Sequence, residues 1–544
     1  MGKIYILGNK KITDGELIPV PLLTTNEFSK IHDFVVCNLA KASSNDKVVI
    51  DLDSLSESAV GLLIALHIRL SILDLGQTVL LPIVLISSLP LQSFLRLGEC
   101  SQIFLTLSGV AFCQPDMVKD SIEALEGLSV ESYKSDFLDQ IQIHPDAETG
   151  SHSMANQWGA DVFNRIISKD DRVSATDLIR AKKKLYFKYV FANTVNLKVL
   201  FEGVSDYAER KQQVQIATGK NILLIDDEAE KGWSDVLKKW FVGLSSFDVI
   251  NEEIGCYDDI PNEIQCKIDS DYYDLYLLDL RLLGTKEDNI YSTDDFSGMK
   301  ILKAIKEKNR GNQVIILTAS NKAWNMKALL DEGADGYYIK ESPELKLPEM
   351  FSQANFKSFK NDVDFCFSNS FKKKTYRQMS ALLSKIKTSS KISNTFTDEL
   401  SNSIEGSLYQ IINSKSNIDF AYSYISLFQS FEIIGREYII DDPNGDWSLE
   451  MYNYDNNGIA LDKITKENTK FPPILSKLVA IYHHIGNQTT DANYIRNLNI
   501  LIKRRNAFVH KLPELEYPIN QKIYNKDGFQ NLLDVVIRLI ESLI

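Results

Sequence analysis

Five polar residues stand at the ends of four apolar runs in the middle of the chain, and this pattern constrains the fold more than any other feature. In chain order they are Asp226, Asp227, Asp279, Thr318 and Lys340. Helix-compatible segments separate the runs, and continuous apolar strands that alternate with helices predict a parallel sheet covered on both faces. Ligands of such sheets bind beyond the carboxyl ends of the strands, so all five residues should face one crevice.

Carboxylates that cluster in one crevice repel each other unless a cation joins them. A set of oxygen ligands that leaves room for water suits Mg²⁺. A cation beside Asp279 would neutralise an incoming phosphoryl group, so that the carboxylate can act as its nucleophile. Lys340 would pair with the phosphate, and Thr318 would move to hydrogen-bond it. The pattern therefore predicts a phosphorylation switch.

This order of an acid pair, an aspartate, a threonine and a lysine resembles the receiver domain of bacterial response regulators, here over residues 216–358. The resemblance implies a flavodoxin-like, doubly wound parallel sheet with Asp279 as phosphoacceptor. It assigns Mg²⁺ binding to Asp226, Asp227, Asp279 and the backbone of Arg281, and switching or phosphate binding to Thr318, Tyr337 and Lys340. The implied partner is a sensor histidine kinase or another phosphodonor.

Two features depart from the family pattern. Glu341 stands where the family usually has proline, and residues 283–296 lengthen the loop after the phosphoacceptor. The alternative interpretation is a degenerate receiver that keeps the fold and has lost phosphorylation. We favour phosphorylation, because acid clusters at strand ends are more often functional than decorative.

Composition bounds the rest of the chain. Its 544 residues should form roughly three or four domains. The net charge of −13 argues against broad binding to duplex DNA or an anionic membrane. The six cysteines lack CxxC spacing and predict buried thiols in a reducing compartment. We find no cleavable signal and no convincing membrane span, so we expect a cytoplasmic protein.

Residues 1–125 also alternate strand-like and helix-like runs, which predicts a second α/β domain with a candidate receiver-like topology. Its first strand ends in Gly8-Asn9-Lys10 rather than an acid pair, and no lysine follows its last strand. Asp51 and Asp53 are therefore expected to support a turn rather than to accept phosphate. We interpret this domain as a dimerisation or sensing module.

Residues 126–215 are more polar and predict a helical connector. Within it, His152 and Asn156 share one helical face, an arrangement weakly similar to the phosphorylated helix of histidine kinases. A short motif without its structural context is weak, so we favour a polar helix with a packed tryptophan. A phosphotransfer role of His152 stays open.

Residues 359–397 are Ser- and Lys-rich and predict a linker, and residues 398–544 predict an all-α output domain. Near the end of that domain, Asn506 and His510 share a helical face, and a long arginine at 505 can reach the same side. Pro513 disfavours helix at Leu512 and so places His510 near a helix end. A histidine beside a guanidinium is a minimal set for cleaving RNA without metal, because the 2′-hydroxyl supplies the nucleophile.

The stretch Arg505 to His510 resembles the RNase motif of the HEPN superfamily, and the resemblance covers roughly the last 150 residues. It implies a helical bundle that works as a homodimer on RNA, without a cofactor. Catalysis would fall to Arg505, His510 and the supporting Asn506, with Glu432 as the acidic residue of an earlier helix. The alternatives are a His510 that caps a helix and a HEPN-like domain that binds partners without cutting.

Together these patterns predict a response regulator whose phosphorylation on Asp279 controls a metal-independent endoribonuclease, a combination that would suit stress or antiphage defence. The alternative function is a non-enzymatic adaptor whose helical domain binds a protein when the receiver is phosphorylated. A transcription regulator is a weaker third hypothesis, because no convincing helix-turn-helix is present.

Overall fold

The structure is a computed structural model of the chain. It describes residues 2–8, 16–20, 23, 25–55, 58–97, 101, 103, 109–145, 151–168, 176–202, 212–251, 260–283, 287, 290, 292–319, 323–345, 347–441, 447–449, 452–453, 474–485, 492–510 and 526–544. The chain divides into two compact units. The first comprises Met1–Leu302 with Val314–Asp364, and the second comprises Lys303–Gln313 with Phe365–Ile544.

The first unit begins with a five-stranded parallel sheet. Its strands are β1 (Ile4–Leu7), β2 (Leu17–Val20), β3 (Lys47–Asp51), β4 (Ile83–Ile86) and β5 (Val110–Cys113), in the order β2-β1-β3-β4-β5. The helices that accompany them are α1 (Phe28–Leu39), α2 (Ser58–Leu70), α3 (Ile72–Leu75) and α4 (Val118–Ala124). The apolar runs predicted for residues 1–125 therefore form a doubly wound sheet with the flavodoxin-like strand order.

Beside a π-helical segment at Tyr133–Leu138, five α-helices follow this sheet in the described part of residues 126–215. They are α5 (Val130–Ser132), α6 (Ser151–Ile167), α7 (Thr176–Lys182), α8 (Leu185–Thr194) and α9 (Leu197–Glu202). Helix α8 packs on the N-terminal sheet's helix α2, where Lys188 donates to Ser71 Oγ at 2.6 Å and lies 3.0 Å from His67 Nδ1. Helix α6 packs against the central domain through the buried Phe163, which contacts Trp233, whereas its buried Trp158 packs on Phe187 of α8.

The central sheet has the same topology. Its strands are β7 (Asn221–Ile225), β9 (Ser246–Ile250), β10 (Leu275–Asp279), β11 (Val314–Thr318) and β12 (Gly336–Ile339), and the order is β12-β11-β10-β7-β9, all parallel. The two-stranded ribbon β6 (Gln215–Ile216) and β8 (Phe241–Val242) lies beside it. The helices are α10 (Trp233–Trp240), α11 (Asn262–Asp269), α12 (Ser297–Lys308) and α13 (Ala323–Asp331). Strands β10 and β11 are buried along their whole length, as their continuous apolar sequence predicts.

Two long helices, α14 (Glu349–Asn369) and α15 (Phe371–Thr388), come next. They occupy most of residues 359–397, so the prediction of a linker there is wrong. The Lys-rich run misled it, because Lys372 is buried and donates to the backbone carbonyls of Ile412 at 3.0 Å and Ser414 at 2.7 Å. A lysine that satisfies helix-end carbonyls belongs to a packed helix rather than to a solvated connector.

The second unit is mainly helical. Its remaining helices are α16 (Asn394–Asn413), α17 (Asn417–Tyr438), α18 (Ile474–His484), α19 (Ala492–His510) and α20 (Lys526–Leu543). They share one apolar core that includes Leu427, Leu478, Leu498 and Leu532, each fully buried. The all-α prediction missed a small antiparallel sheet of β13 (Ile439–Asp441), β14 (Trp447–Leu449) and β15 (Tyr452–Asn453). Strands of two or three residues are too short to produce an alternating pattern in the sequence.

Among the described helices, none is by itself long and apolar enough to cross a membrane, although one bent pair, Val60–Leu70 with Ile72–Leu80, meets the criterion by length and composition.

Candidate phosphoryl-accepting site

The carboxyl ends of β7, β10 and β12 bring three carboxylates and one lysine together. Ligand atoms of Asp226, Asp227 and Asp279 all lie within 4.8 Å of one another. The in-register pairing of β10 with both β7 and β11 produces this closeness, because the residues that follow each strand come to one edge of the sheet. The sequence prediction of a shared crevice is correct for these residues.

Lys340 is the cation of the crevice. Its Nζ donates to Asp226 Oδ2 at 2.7 Å and also to Asp279 Oδ2, and its side chain is 3% exposed. Burial alone would lower the pKa of Lys340, but the two carboxylates outweigh burial and raise it above its ordinary value. The lysine is therefore charged and fixed between the two acids, within reach of a group bonded to Asp279.

Asp279 is buried, and both of its carboxylate oxygens are engaged. Oδ1 accepts from the backbone N–H of Arg281 at 3.2 Å, and Oδ2 accepts from Lys340. Burial raises the pKa of Asp279, against the opposing charge of Lys340. Gly298 lies directly behind this residue, where an added Cβ would come within 2.3 Å of the Asp279 carbonyl oxygen. Only glycine permits so close an approach of α12 to the end of β10.

Asp227 carries the features expected of a cation ligand. Among the described residues, its Oδ1 atom is buried without a hydrogen-bond partner. Burial and the charges of Asp279 and Asp226 raise its pKa to about 7. An orphaned carboxylate oxygen facing two further carboxylates costs free energy that a divalent cation would recover. The residues present therefore fit Mg²⁺, which prefers such an all-oxygen set.

The predicted switch residues lie on the two strands beyond β10. Thr318 ends β11, is 2% exposed and pairs in register with Ile339 of β12. Tyr337 lies on β12 opposite Ile316 and is half-buried. Thr318 thus lies at the carboxyl-terminal edge of the sheet, as Asp279 does, whereas Tyr337 lies two residues before the end of β12.

The loop after Asp279 is held by a residue that sequence reasoning missed. Glu287 is fully buried and accepts from the backbone N–H groups of Leu282 at 2.9 Å and Leu283 at 3.1 Å. It also accepts from the N–H of Ser297 at 2.7 Å, at the start of α12. A carboxylate at a helix N-terminus is stabilised by the helix dipole. An isolated acid in a polar loop gave no signal of this role.

A second missed contribution comes from α6, outside the predicted receiver segment. Asn156 is 3% exposed, its Oδ1 accepts from Lys340 Nζ at 3.0 Å, and its Nδ2 donates to Glu228 Oε2 at 2.8 Å. The side chain of His152, one turn earlier, lies outside the described residues. Glu341, at the position where the family usually has proline, is buried and accepts from Ser352 Oγ at 2.8 Å.

The corresponding edge of the N-terminal sheet is built differently. Asp51 ends β3 and accepts from the N–H of Asp53 at 3.2 Å and from the hydroxyl of Ser54. Asp53 accepts from Ser87 Oγ at 2.5 Å and from the N–H of Ser88 at 2.7 Å. Both acids therefore support turns, as the sequence predicts. Gly8 follows β1 where the central sheet has its acid pair.

In the second unit, α19 and α17 bring together three of the four predicted nuclease residues. Arg505 Nη2 donates to Glu432 Oε1 at 2.6 Å, and Arg505 Nη1 donates to Asn506 Oδ1 at 3.1 Å. The guanidinium carbon of Arg505 lies 5.6 Å from the ring centre of Phe428. Helix α19 ends at His510, where Pro513 predicts an end, and the His510 side chain is outside the described residues.

Comparison with known proteins places a receiver-like domain at the start of the chain. A family model described as "Inactive Receiver domain" matches residues 7–113. The nitrate/nitrite response regulator protein NarP of Escherichia coli strain K12 is 39% identical over 75 residues, which are 14% of this chain and 30% of NarP. The chain thus spans less than a third of that relative. The match at residues 7–113 confirms the candidate receiver-like topology of the N-terminal domain.

Proposed function

We propose that the central domain accepts a phosphoryl group on Asp279, with Mg²⁺ as cofactor and a sensor histidine kinase or a small phosphodonor as its source. The observation that supports this most is the convergence of Asp226, Asp227 and Asp279 around one point, with Lys340 hydrogen-bonded to the acceptor. The N-terminal domain would not be phosphorylated, because Asp51 and Asp53 accept hydrogen bonds from backbone N–H groups of the adjoining turns.

In the proposed reaction, a carboxylate oxygen of Asp279 attacks the phosphorus of the donor. The bond between phosphorus and the leaving group breaks, and the leaving group keeps the electron pair and takes a proton from solvent. When bound, Mg²⁺ would neutralise charge on the phosphoryl oxygens. The N–H of Arg281 holds the second carboxylate oxygen, and Lys340 transfers one hydrogen bond from Asp279 to the phosphoryl group.

The test is incorporation of a phosphoryl group from a small acyl phosphate with Mg²⁺, followed by mass spectrometry of the intact chain. Wild type should gain one phosphoryl group, and Asp279→Asn should gain none. Asp51→Asn, the matched change at the end of β3, should behave as wild type. Equal labelling of wild type and Asp279→Asn would refute the proposal.

We further infer an output activity in the second unit, a HEPN-like endoribonuclease that acts on RNA without a metal and as a homodimer, in stress or antiphage defence. The observation that favours it is the grouping of Arg505 and Asn506, one to two turns before the end of α19, with Glu432 of α17. A guanidinium held by a carboxylate and an amide has a fixed fork, which suits recognition of a phosphodiester. His510 would move the proton.

This output is tested by cleavage of a mixed RNA pool with and without phosphodonor and Mg²⁺. We expect His510→Ala and Arg505→Ala to lose activity by about 10²- to 10⁴-fold. Lys503→Ala, an exposed cation on the same helix, should retain it. Asp279→Ala should abolish the response to phosphodonor.

The alternative is a non-enzymatic adaptor whose helical unit binds a protein partner. RNA that survives in every condition, while phosphorylation still changes the oligomeric state, would favour the adaptor over the nuclease.

A further inference from the structure

Helix α6 supplies a side chain to the phosphoryl-accepting site although it lies outside the sheet that carries the site. Asn156 bridges the loops after β7 and β12, because it accepts from Lys340 at 3.0 Å and donates to Glu228 at 2.8 Å. The bridge therefore joins the two sides of the crevice directly beside Asp279.

The helix is held against the central sheet by its aromatic residues. The ring centre of Phe163 lies 5.4 Å from that of Trp240, 5.7 Å from Tyr338 and 5.4 Å from Phe356. Gly159 brings the helix close to the loop after β12, since an added Cβ would lie 3.0 Å from the Glu341 carbonyl oxygen. Asn156 is thus placed by a packed helix and not by a loop.

The hydrogen-bond capacity of Lys340 makes this contact sensitive to phosphorylation. An ammonium group has three donors, and here they go to Asp226, Asp279 and Asn156. A phosphoryl group on Asp279 would bring further charged acceptor oxygens to the same nitrogen. Among the three present acceptors, the neutral amide is the weakest, because each carboxylate adds the attraction of opposite charges to its hydrogen bond with the ammonium. The hydrogen bond from Lys340 to Asn156 would therefore be the first to break.

We propose that Asn156 is a positioning residue of this site, which holds Lys340 while Asp279 is free and releases it when Asp279 is phosphorylated. The inference rests on the proposed function of Asp279. Since a contact present in only one state shifts the equilibrium between the two, α6 is bound less tightly in the phosphorylated state.

The release of α6 would reach the N-terminal sheet through contacts already in place. Asp161 of α6 pairs with Lys182 at the end of α7 at 2.6 Å. The next residue, Lys183, pairs with Asp33 of α1 at 2.8 Å, and Lys188 of α8 bonds to Ser71 beside α2. The connector helices therefore join the site to the receiver-like domain at residues 7–113, which would read the phosphorylation state of its neighbour.

The experiment measures amide hydrogen exchange of the full chain in a peptide that covers residues 151–167, with Mg²⁺ alone and with Mg²⁺ plus beryllium fluoride, a mimic of the aspartyl phosphate. We expect about tenfold faster exchange in wild type when the mimic is bound, the factor that one hydrogen bond to a charged group corresponds to. Asn156→Ala should show the faster exchange without the mimic. It should also bind beryllium fluoride more tightly, by up to about tenfold, because the acceptor that competes for Lys340 is gone.

Asn193→Ala is the matched control. That asparagine lies in α8 and donates within its own helix, to the Tyr189 carbonyl at 2.9 Å, so this variant should match wild type in both measurements. Exchange of α6 that does not change with the mimic in wild type, or weaker binding of the mimic by Asn156→Ala, would overturn the role of Asn156 and leave the proposed function standing. If wild type takes up neither phosphoryl group nor mimic, both fail together.

Discussion

The described residues form two five-stranded parallel sheets with the same strand order. The acids at their carboxyl-terminal edges make opposite kinds of contact. In the central sheet, the acids at the strand ends face one another and one oxygen of Asp227 has no hydrogen-bond partner in the described part of the chain. In the N-terminal sheet, Asp51 and Asp53 are satisfied by hydroxyls and backbone N–H groups of the adjoining turns. The difference shows that a fold does not fix what its edge can do, because one edge holds a cluster of acids and the other a set of hydrogen-bonded turns.

Two buried lysines show the same contrast. Lys340 has two carboxylate partners, and its pKa is raised above the ordinary value. Lys188 bonds to Ser71 and contacts His67, and burial lowers its pKa to about 7 although Asp74 and Asp33 oppose the shift. Burial acts on both, and the presence or absence of a carboxylate within hydrogen-bond distance decides the sign.

The largest effect should come from removing the lysine of the central site. Lys340→Met leaves Asp226 and Asp279 buried without their cation, which should cost about 3–5 kcal/mol of unfolding free energy without Mg²⁺. Lys188→Met replaces a lysine that has no carboxylate bond with an apolar chain of similar volume, and should cost less than about 1.5 kcal/mol. Urea unfolding of both variants measures the difference. Equal losses would show that the two lysines play the same structural role.

Magnesium binding should separate the two sheet edges next. We expect wild type to bind Mg²⁺, and Asp227→Asn to bind it at least about tenfold more weakly, since even outer-sphere partners contribute that much. Asp53→Asn, the change in the N-terminal sheet, should leave the affinity unchanged. The affinity for Mg²⁺ is measured by titration calorimetry on protein that has been treated with a chelator. Binding that is insensitive to Asp227 would place the cation elsewhere.

A pH effect should come from Lys188. Its pKa is about 7 in the folded chain and 10.5 ordinarily, so between these values the unfolded chain binds a proton that the folded chain does not. Folding stability contributed by this group therefore rises with pH from about 7 to about 10 and is constant below 7. The stability of wild type relative to Lys188→Met should increase over that window in thermal unfolding at successive pH values. A difference that stays flat would contradict the shifted pKa.

The N-terminal sheet edge can itself be tested at Gly8. Its φ is 144°, and an added Cβ would lie 2.4 Å from the Asp51 Cβ. Gly8→Ala should destabilise the chain by about 1–3 kcal/mol. Gly76→Ala is the control, because Gly76 has a φ of 53° but open space around its Cβ position, and so adds strain without a collision. Differential scanning fluorimetry should give a lower unfolding temperature for Gly8→Ala. The reverse order would mean that the N-terminal edge can accept a side chain where the acid pair would stand.

The central acids and lysine could be predicted from sequence because each follows an apolar run directly. In a parallel sheet the ends of all strands lie at one edge, so residues that follow the strands are close in space even though they are far apart in sequence. Asn156 could not be predicted in this way, because its contact with Lys340 joins residues 184 positions apart. Glu287 gave no periodic signal either, since it acts from within an irregular loop.

The second unit shows the complementary limit. Lys372 lies in a lysine run that suggests exposure to solvent, yet it is buried and donates hydrogen bonds to the backbone carbonyls of Ile412 and Ser414. Composition shows that a lysine is charged, but it does not show which hydrogen-bond acceptors the fold places beside it. The grouping of Arg505 with Glu432 matches the residues singled out in sequence, and their role in RNA cleavage remains a prediction.

The packing of Phe163 in α6 against Tyr338 and Phe359 also bears on how the chain is made. During synthesis from the N-terminus, α6 leaves the ribosome before β12 and α14 have been made. Phe163 therefore lacks its final packing partners until those segments are synthesised. Domains generally fold as units in the order of synthesis. The central sheet is therefore completed only after α6 has been made. A fragment that begins at residue 216 would lack α6 and would expose the apolar surface that Phe163 covers.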